Sequence, residues 1–259
     1  MDNRLTAENL YLNVGQRQLI NDLSLSLAVG EMVALIGPNG AGKSTLLRLL
    51  TGYLAPNAGV CRIGERALTQ WPPEALSRRR AVMLQQTQLR FDWQVEGIVA
   101  MGRAPWGKKR ESEIIRQVLA LTDCLSLAGR NYATLSGGEQ QRVQLARSLA
   151  QLWQDDGPQG WLFLDEPTSA LDLYHQQQLL RLMKSLTQQG KLHVCVVLHD
   201  LNLAALWADR ILLLHQGRLV AQGAPEEVIV QPIIEKWYGA EVRVQHHPDG
   251  ETPQVFLTA

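Results

Sequence analysis

The stretch MVALIGPNGAGKST, residues 32–45, decides the fold. Its first part, MVALIG at 32 to 37, is an almost unbroken apolar run, which suits a strand of a parallel sheet covered on both faces. Its last part runs into STLLRLLTG, a helical pattern. Between them Gly37, Pro38, Asn39, Gly40, Ala41, Gly42, Lys43, Ser44 and Thr45 match G-x-x-x-x-G-K-S/T in the strand, turn and helix setting that the pattern needs. Glycines let backbone N–H groups close around phosphate oxygens, and the helix N-terminus adds positive potential. Lys43 is then expected to reach the β and γ phosphates, and the Ser44 hydroxyl to ligate magnesium. This motif by itself does not separate a kinase from a GTPase or a transport motor.

Working outward, WLFLDE at 161 to 166 and VCVVLHD at 194 to 200 are further buried-strand runs. Helical patterns lie between the runs. Residues 173 to 189 set Leu179, Leu182, Met183 and Leu186 on one face, with Gly190 as a C-terminal stop. The first thirty residues and ILLLHQGRLVAQG at 211 to 223 read as antiparallel strands, the latter turning at Gln216-Gly217. From about 87 to 155 helical patterns dominate, and after about 225 come short helices and a weak strand pair. The fold class is therefore α/β: a phosphate-loop NTPase core with a mostly parallel sheet, an N-terminal antiparallel β subdomain and an inserted helical subdomain. We expect a single domain over 1–259, with 87–155 as the insertion and 225–259 as C-terminal helices and short strands.

Composition narrows the class. Lys plus Arg and Asp plus Glu number 25 each, so the chain lacks the basic footprint of a nucleic-acid binder. No apolar run approaches the roughly 20 residues of a membrane span, and the polar start MDNRLTAEN does not resemble a secretory signal, so a cytoplasmic protein is expected. Cys61, Cys124 and Cys195 are widely spaced and read as reduced, structural thiols.

LSGGEQQR, Leu135 to Arg142, supplies the discrimination. Ser136 and Glu139 form a capping box for a helix running to about Leu152, with Val143, Ala146, Leu149 and Ala150 inward. Read locally, this is either a simple cap or a second anion site at a helix N-terminus. Lying between GPNGAGKST and LFLDEPTSALD, however, LSGGEQQR resembles the signature of ABC ATPases. The resemblance covers about Leu5 to Tyr238.

The resemblance implies ATP and Mg2+ as cofactors and a role for each matching residue. Asp165, at the end of the LFLD strand, would orient magnesium, and Glu166 would act as the general base that polarises the attacking water. His199, at the end of another apolar strand, would contact the γ-phosphate. Gln85 or Gln86, after the short strand AVML, corresponds to the glutamine that touches magnesium and links nucleotide to membrane partner; the register favours Gln85. Ser136, Gly137 and Gly138 would face the phosphate loop of a second copy across ATP, and Ser169 to Asp172 resembles the loop through which the copies sense each other. The catalytic set is thus Glu166, His199, Lys43 and Gln85, and the metal set Ser44, Gln85 and Asp165.

The sequence departs from the family twice. Where an aromatic residue often stacks on adenine, the aligned position is Val14, and Tyr11 reads as a core strand residue. AQLWQDDGPQGWLFLDEP adds residues before the Asp165 strand, and a surface loop is expected there.

Val95 to Trp106 resembles the segment found in ATPases of iron-siderophore, vitamin B12 and haem importers, and the sequence as a whole most resembles the ATPase of bacterial haemin importers; the alternative is that Trp93 and Trp106 are core or surface aromatics of the helical subdomain. An importer of this kind implies a homodimer of ATPase subunits on the cytoplasmic face of a bacterial inner membrane. Membrane permease subunits and a periplasmic solute-binding protein would complete it, and nucleic acid would not be a partner. His246-His247 reads as a solvated tail strand rather than a ligand pair.

Overall fold

A computed structural model describes residues 3–84, 92–108, 110–248 and 250–258. Strands β1 (Leu5–Val14), β2 (Arg17–Leu27) and β3 (Met32–Ile36) precede helix α1 (Lys43–Leu50), which is followed by β4 (Ala58–Ile63) and β5 (Arg66–Ala67). Next come α2 (Pro73–Ser77), β6 (Arg80–Met83), α3 (Val95–Met101), α4 (Glu111–Leu121) and α5 (Gly137–Leu152). After these run β7 (Trp153–Gln154), β8 (Gly157–Pro158), β9 (Gly160–Asp165), α6 (Leu173–Gln188), β10 (Leu192–Val197) and α7 (Leu201–Trp207). The chain ends with β11 (Arg210–His215), β12 (Arg218–Gly223), α8 (Pro225–Val228), α9 (Gln231–Tyr238), β13 (Val242–His246) and β14 (Pro253–Leu257). Two compact units result, one from the chain up to Gln70 and from Cys195 onward, the other from Trp71–Val194.

In the first unit, β1 pairs antiparallel with both β2 and β4, Leu5 meeting Leu27 on one side and Ile63 on the other. β3 is buried at all five positions, as its unbroken apolar sequence requires, and lies parallel to β11 with Leu35 opposite Leu212. Asp209 Oδ2 accepts from the Met32 amide at 2.9 Å and so fixes where β3 starts. β11 turns back into β12 at Gln216 (φ 46°) and Gly217 (φ 73°), both left-handed as a two-residue hairpin turn of matching twist demands. A side chain at 217 would meet the Leu19 carbonyl oxygen at 2.4 Å, so glycine is required there.

In the second unit, β6 lies parallel to β9, with Val82 opposite Phe163. Helix α5 packs on α3, α4 and both strands. Its fully buried Val143, Ala146 and Leu149 form the inward stripe that the periodicity predicts. Burying each large aliphatic side chain contributes about 1.5–3 kcal/mol, so this stripe anchors the unit.

Three local expectations change. The added residues before β9 are a tight antiparallel hairpin, β7 to β8, rather than a loop: Trp153, Gly157 and Pro158 are buried and only the Asp155-Asp156 tip is exposed. Trp153 is too apolar to leave in water, and burying it zips the strands. On α6 the buried set is Leu179, Leu180, Met183 and Leu186, with Leu182 half-buried, so the inward face is turned toward Leu180. β10 ends at Val197, so His199 stands two residues beyond the strand. The three cysteines are buried and form no disulfide among the described residues.

Candidate functional site

The first unit carries the phosphate-loop sequence. It leaves β3 at Gly37, whose φ is 147°, and a Cβ there would lie 2.2 Å from the Leu214 carbonyl oxygen. Only glycine passes so close to β11. Lys43, 6% exposed, donates from Nζ to the carbonyls of Gly37 at 2.8 Å and Pro38 at 3.1 Å. The amine is thereby aimed into the loop rather than into solvent. Helix α1 starts at Lys43 behind Gly42, which offers no side-chain cap, and its first turn holds no acidic residue. Its N-terminal amides and dipole thus face the loop without an internal anion.

The hairpin turn braces this loop. Gly217 donates to the Ala41 carbonyl at 2.8 Å and accepts from the Asn21 amide at 3.0 Å, tying loop, turn and β2 together. His199 is exposed, and Leu198 before it donates to Leu35 of β3 at 3.3 Å. The histidine therefore emerges at the carboxyl end of β3, where Gly37 begins, as edge ligands of open α/β sheets do. Asp200 caps α7, its Oδ1 accepting from Asn202 at 2.8 Å and Leu203 at 3.0 Å. Val14 is 62% exposed at the end of β1, whereas Tyr11 is half-buried within it.

The second unit carries the carboxylates and the LSGGEQQR segment. Asp165 closes β9 and is buried; Glu166 follows, half-buried, with φ 52°. A left-handed non-glycine residue costs on the order of 1–2 kcal/mol. The surroundings hold it: the Glu166 carbonyl accepts from the Ser169 amide at 3.3 Å, the Ser169 hydroxyl at 3.1 Å and Gln141 Nε2 at 3.2 Å.

The capping box forms as the sequence predicts. Glu139 N donates to Ser136 Oγ at 3.3 Å, and Ser136 N donates to Glu139 Oε2 at 2.8 Å. The Ser136 backbone contact holds the Glu139 carboxyl below its usual value. Ser136 and Gly137 remain exposed at the N-terminus of a 16-residue helix, while a side chain on Gly138 would meet the Ala170 carbonyl oxygen at 3.1 Å. The start of α5 is therefore in contact with the loop 169–172. That loop ends at Asp172, which caps α6: its Oδ1 accepts from the His175 amide at 2.9 Å and the His175 Nδ1–H at 2.8 Å.

The segment 95–106 is pinned from several sides. Trp106 Nε1 donates to Gln151 O at 2.7 Å, with the Arg78 and Arg103 guanidinium carbons 5.0 and 5.4 Å from its ring. Arg103 donates to the carbonyls of Ala150 at 2.7 Å and Trp153 at 2.8 Å, joining α5 to the added hairpin. Gln151 Nε2 donates to Ser77 O and Arg80 O at 2.8 and 2.9 Å, so β6 is held by the same clamp. Trp93 is 45% exposed.

Of the residues singled out from sequence, Gly37 to Thr45 and His199 share the first unit, and Ser136, Gly137, Gly138, Asp165 and Glu166 share the second. Gln85 and Gln86 lie outside the described residues. Gln141 and Arg103 were not singled out, and Gly217 reads from sequence only as a turn residue, not as one bonded to the phosphate loop. Gln141 sits inside the quoted motif, but nothing in its spacing says which carbonyl it meets.

A phosphate loop, an Asp-Glu pair closing a buried strand and a capped LSGGEQQR helix define a nucleotide-driven motor, and comparison agrees: the ABC transporter family pattern matches residues 20–169. The chain belongs to the ABC transporter family, as one of its ATP-binding and ATP-hydrolysing cassettes. It is 66% identical over 244 residues to the hemin import ATP-binding protein of Enterobacter cloacae, covering 94% of each chain. Among solved structures it resembles a chain of an ABC transporter assigned to the metal-chelate type, in an inward-facing conformation (26% identity, TM-score 0.82, 100% of this chain and 98% of that one). It also resembles a dimeric ATP-binding cassette in a post-hydrolysis state with ADP and Pi (25% identity, TM-score 0.74, 85% and 98%). No helix among the described residues is long and apolar enough to cross a membrane.

Proposed function

We propose that this chain is the ATPase of a haemin importer: it works as a pair on the cytoplasmic face of a bacterial inner membrane and drives a separate permease fed by a periplasmic solute-binding protein. The observation that carries this reading is the 66% identity to a hemin import ATP-binding protein across 94% of both chains. Uptake of another iron chelate is the second reading, favoured by the likeness to the metal-chelate type transporter. The whole chain acts as one ATPase domain, with about 87–155 as the inserted helical part that carries the signature.

Within each copy the roles follow from chemistry. Lys43 and the α1 amides hold the β and γ phosphates. Ser44 and Asp165 offer the hard oxygen donors that suit magnesium, a buried strand-end carboxylate and a hydroxyl at a helix start, with Gln85 as a further ligand. Held there, magnesium would neutralise charge on the phosphates. Glu166 takes the proton from the attacking water, and His199 steadies the γ-phosphate. Ser136, Gly137 and Gly138 of one copy meet the ATP held by the other, so ATP joins the pair and hydrolysis parts it. Shifting that equilibrium from 1:99 to 99:1 takes about 5.5 kcal/mol of differential binding, within reach of a triphosphate contacted from two sides.

The test is to isolate the full complex from membranes, identify the permease, and follow ATP-dependent haemin movement in proteoliposomes. Inward movement that needs ATP supports the proposal. A different solute, or export, overturns it.

A further inference from the structure

The place of His199 depends on helix α7, which starts after it with Asp200 as the cap. That helix has little of its own to hold it. It spans seven residues, Leu201–Trp207, too few to persist in water on helix propensity alone. Its buried residues are Ala204 and Ala205, and a single methyl group removes little apolar surface from water. The far end is secured by backbone: the Asp209 amide donates to Met32 O at 2.8 Å, beside the bond from Met32 N to Asp209 Oδ2. On the near side the Leu198 amide reaches Leu35 O at 3.3 Å, a long contact.

Asn202, in the first turn of α7, secures this near end. Its Oδ1 accepts from the Val255 amide at 2.7 Å, and its Nδ2 donates to the Val255 carbonyl at 3.2 Å. One side-chain amide thus meets both backbone groups of a residue 53 positions away, as a neighbouring strand would. Val255 sits on β14, which forms a two-stranded sheet with β13 and packs against α7. Its partner across the ladder is Val244. Antiparallel pairs alternate between those that exchange hydrogen bonds and those that do not, and Val255, with both groups turned to Asn202, belongs to the second kind. The grip therefore adds to the β13–β14 ladder without drawing on it. An apolar residue at 202 would leave both Val255 groups unmet, and a carboxylate would set a second acceptor against the Val255 carbonyl. Asparagine carries the donor and the acceptor side by side.

Given the γ-phosphate role proposed for His199, on which this rests, we infer that Asn202 is a positioning residue for ATP hydrolysis: its grip on β14 sets where α7 begins, and the start of α7 sets where His199 stands. The C-terminal hairpin β13–β14 then supports the reacting end of the nucleotide, although none of the residues assigned to the nucleotide lies on it. Without the grip, α7 keeps its Asp200 cap and its Asp209 anchor but is free to turn about that far end, carrying His199 with it. Nucleotide binding, the work of the phosphate loop, is left alone. Hydrolysis is not, because a displacement of about 1 Å at a reacting group is enough to slow chemistry strongly.

The test uses the full-length chain and reads ATP affinity, the single-turnover hydrolysis rate and Tm for the parent, Asn202→Ala, Val255→Pro, His199→Ala and the double variant His199→Ala/Asn202→Ala. Val255→Pro removes the N–H given to Asn202 from the other side of the contact, at an edge position where proline is tolerated. We expect hydrolysis to slow about tenfold in Asn202→Ala and severalfold in Val255→Pro, with ATP affinity unchanged, at temperatures where each variant is fully folded. In the His199→Ala background, Asn202→Ala should cost nothing further, because its effect passes through the histidine. A brace that merely stabilises the fold would slow both backgrounds alike, and that result overturns the positioning role. So does parent-rate hydrolysis in both Asn202→Ala and Val255→Pro while His199→Ala is slow, which leaves the role of His199 standing. Parent-rate hydrolysis in His199→Ala instead removes the histidine from the reaction, and the function of the grip with it.

Discussion

Gln141 Nε2 reaches the main-chain carbonyl of Glu166 at 3.2 Å, so the LSGGEQQR helix directly holds the residue that follows the β9 strand in a left-handed conformation. The amide also lies 3.4 Å from the Ser169 hydroxyl, which itself donates to the same carbonyl. Helix, carboxylate and loop thus form one hydrogen-bonded unit. Gln141→Ala removes its donor and frees Glu166 to relax from φ 52°. We expect turnover to fall about tenfold, equivalent to roughly 1.4 kcal/mol of lost positioning, with ATP affinity unchanged. Equal losses in binding and turnover, read by nucleotide titration beside steady-state kinetics, would contradict this.

Glu166→Gln keeps the shape of the side chain and removes its basicity. ATP binding should persist while turnover drops about 10²- to 10⁴-fold, the span of general-base contributions. Gel filtration with ATP should show the variant accumulating as a dimer. Turnover near the parent rate removes Glu166 from the role of base.

Lys43→Ala deletes the only side-chain charge in the loop 37–45 and its bonds to the Gly37 and Pro38 carbonyls. Nucleotide affinity and turnover should fall together. Undiminished binding of a fluorescent ATP analogue would show that the amine does not serve the phosphates.

Trp106→Ala removes the bond to Gln151 and the ring flanked by two guanidinium groups. We expect about 2 kcal/mol of destabilisation, or about 4–8 °C in Tm for a chain of this size. If segment 95–106 also meets the permease, copurification should weaken at temperatures where the variant is fully folded. An unchanged Tm would mean the clamp carries no stability.

His193 gives a pH dependence. It is 3% exposed beside Trp161, ring centroids 4.9 Å apart, and burial lowers its pKa from 6.5 to about 4. The unfolded chain therefore takes up a proton that the folded chain refuses. Stability contributed by neutral His193 is complete above pH 6.5 and is lost progressively from there down to about 4, where the folded form protonates as well. The loss is about 3 kcal/mol in order of magnitude. Urea denaturation from pH 7 to 4 should show this limb in the parent and a flatter one in His193→Leu; identical limbs would assign the acid sensitivity to other groups.

The fold is legible where one physical demand dominates. MVALI has no polar residue to turn outward, so β3 can only be a doubly covered strand, and the Gln216-Gly217 turn is dictated by backbone sterics. Ser136 and Glu139 announce their helix because capping is a local bond between residues three apart. The sequence is silent where the partner is distant. Gln141 and Glu166 are 25 residues apart, and Arg103 and Trp153 are 50 apart. Trp153 to Pro158 misleads because Asp155, Asp156 and Gly157 read as loop, while the apolar Trp153 and Pro158 on either side fold them into a hairpin.

The turn at Gln216-Gly217 has a bearing on handling the protein. Because its one glycine is bonded both to Asn21 and to Ala41, an epitope or fluorophore spliced between those two positions would tug on the phosphate cradle. The other hairpin tip, at Asp155-Asp156, is exposed and is the safer place for a label.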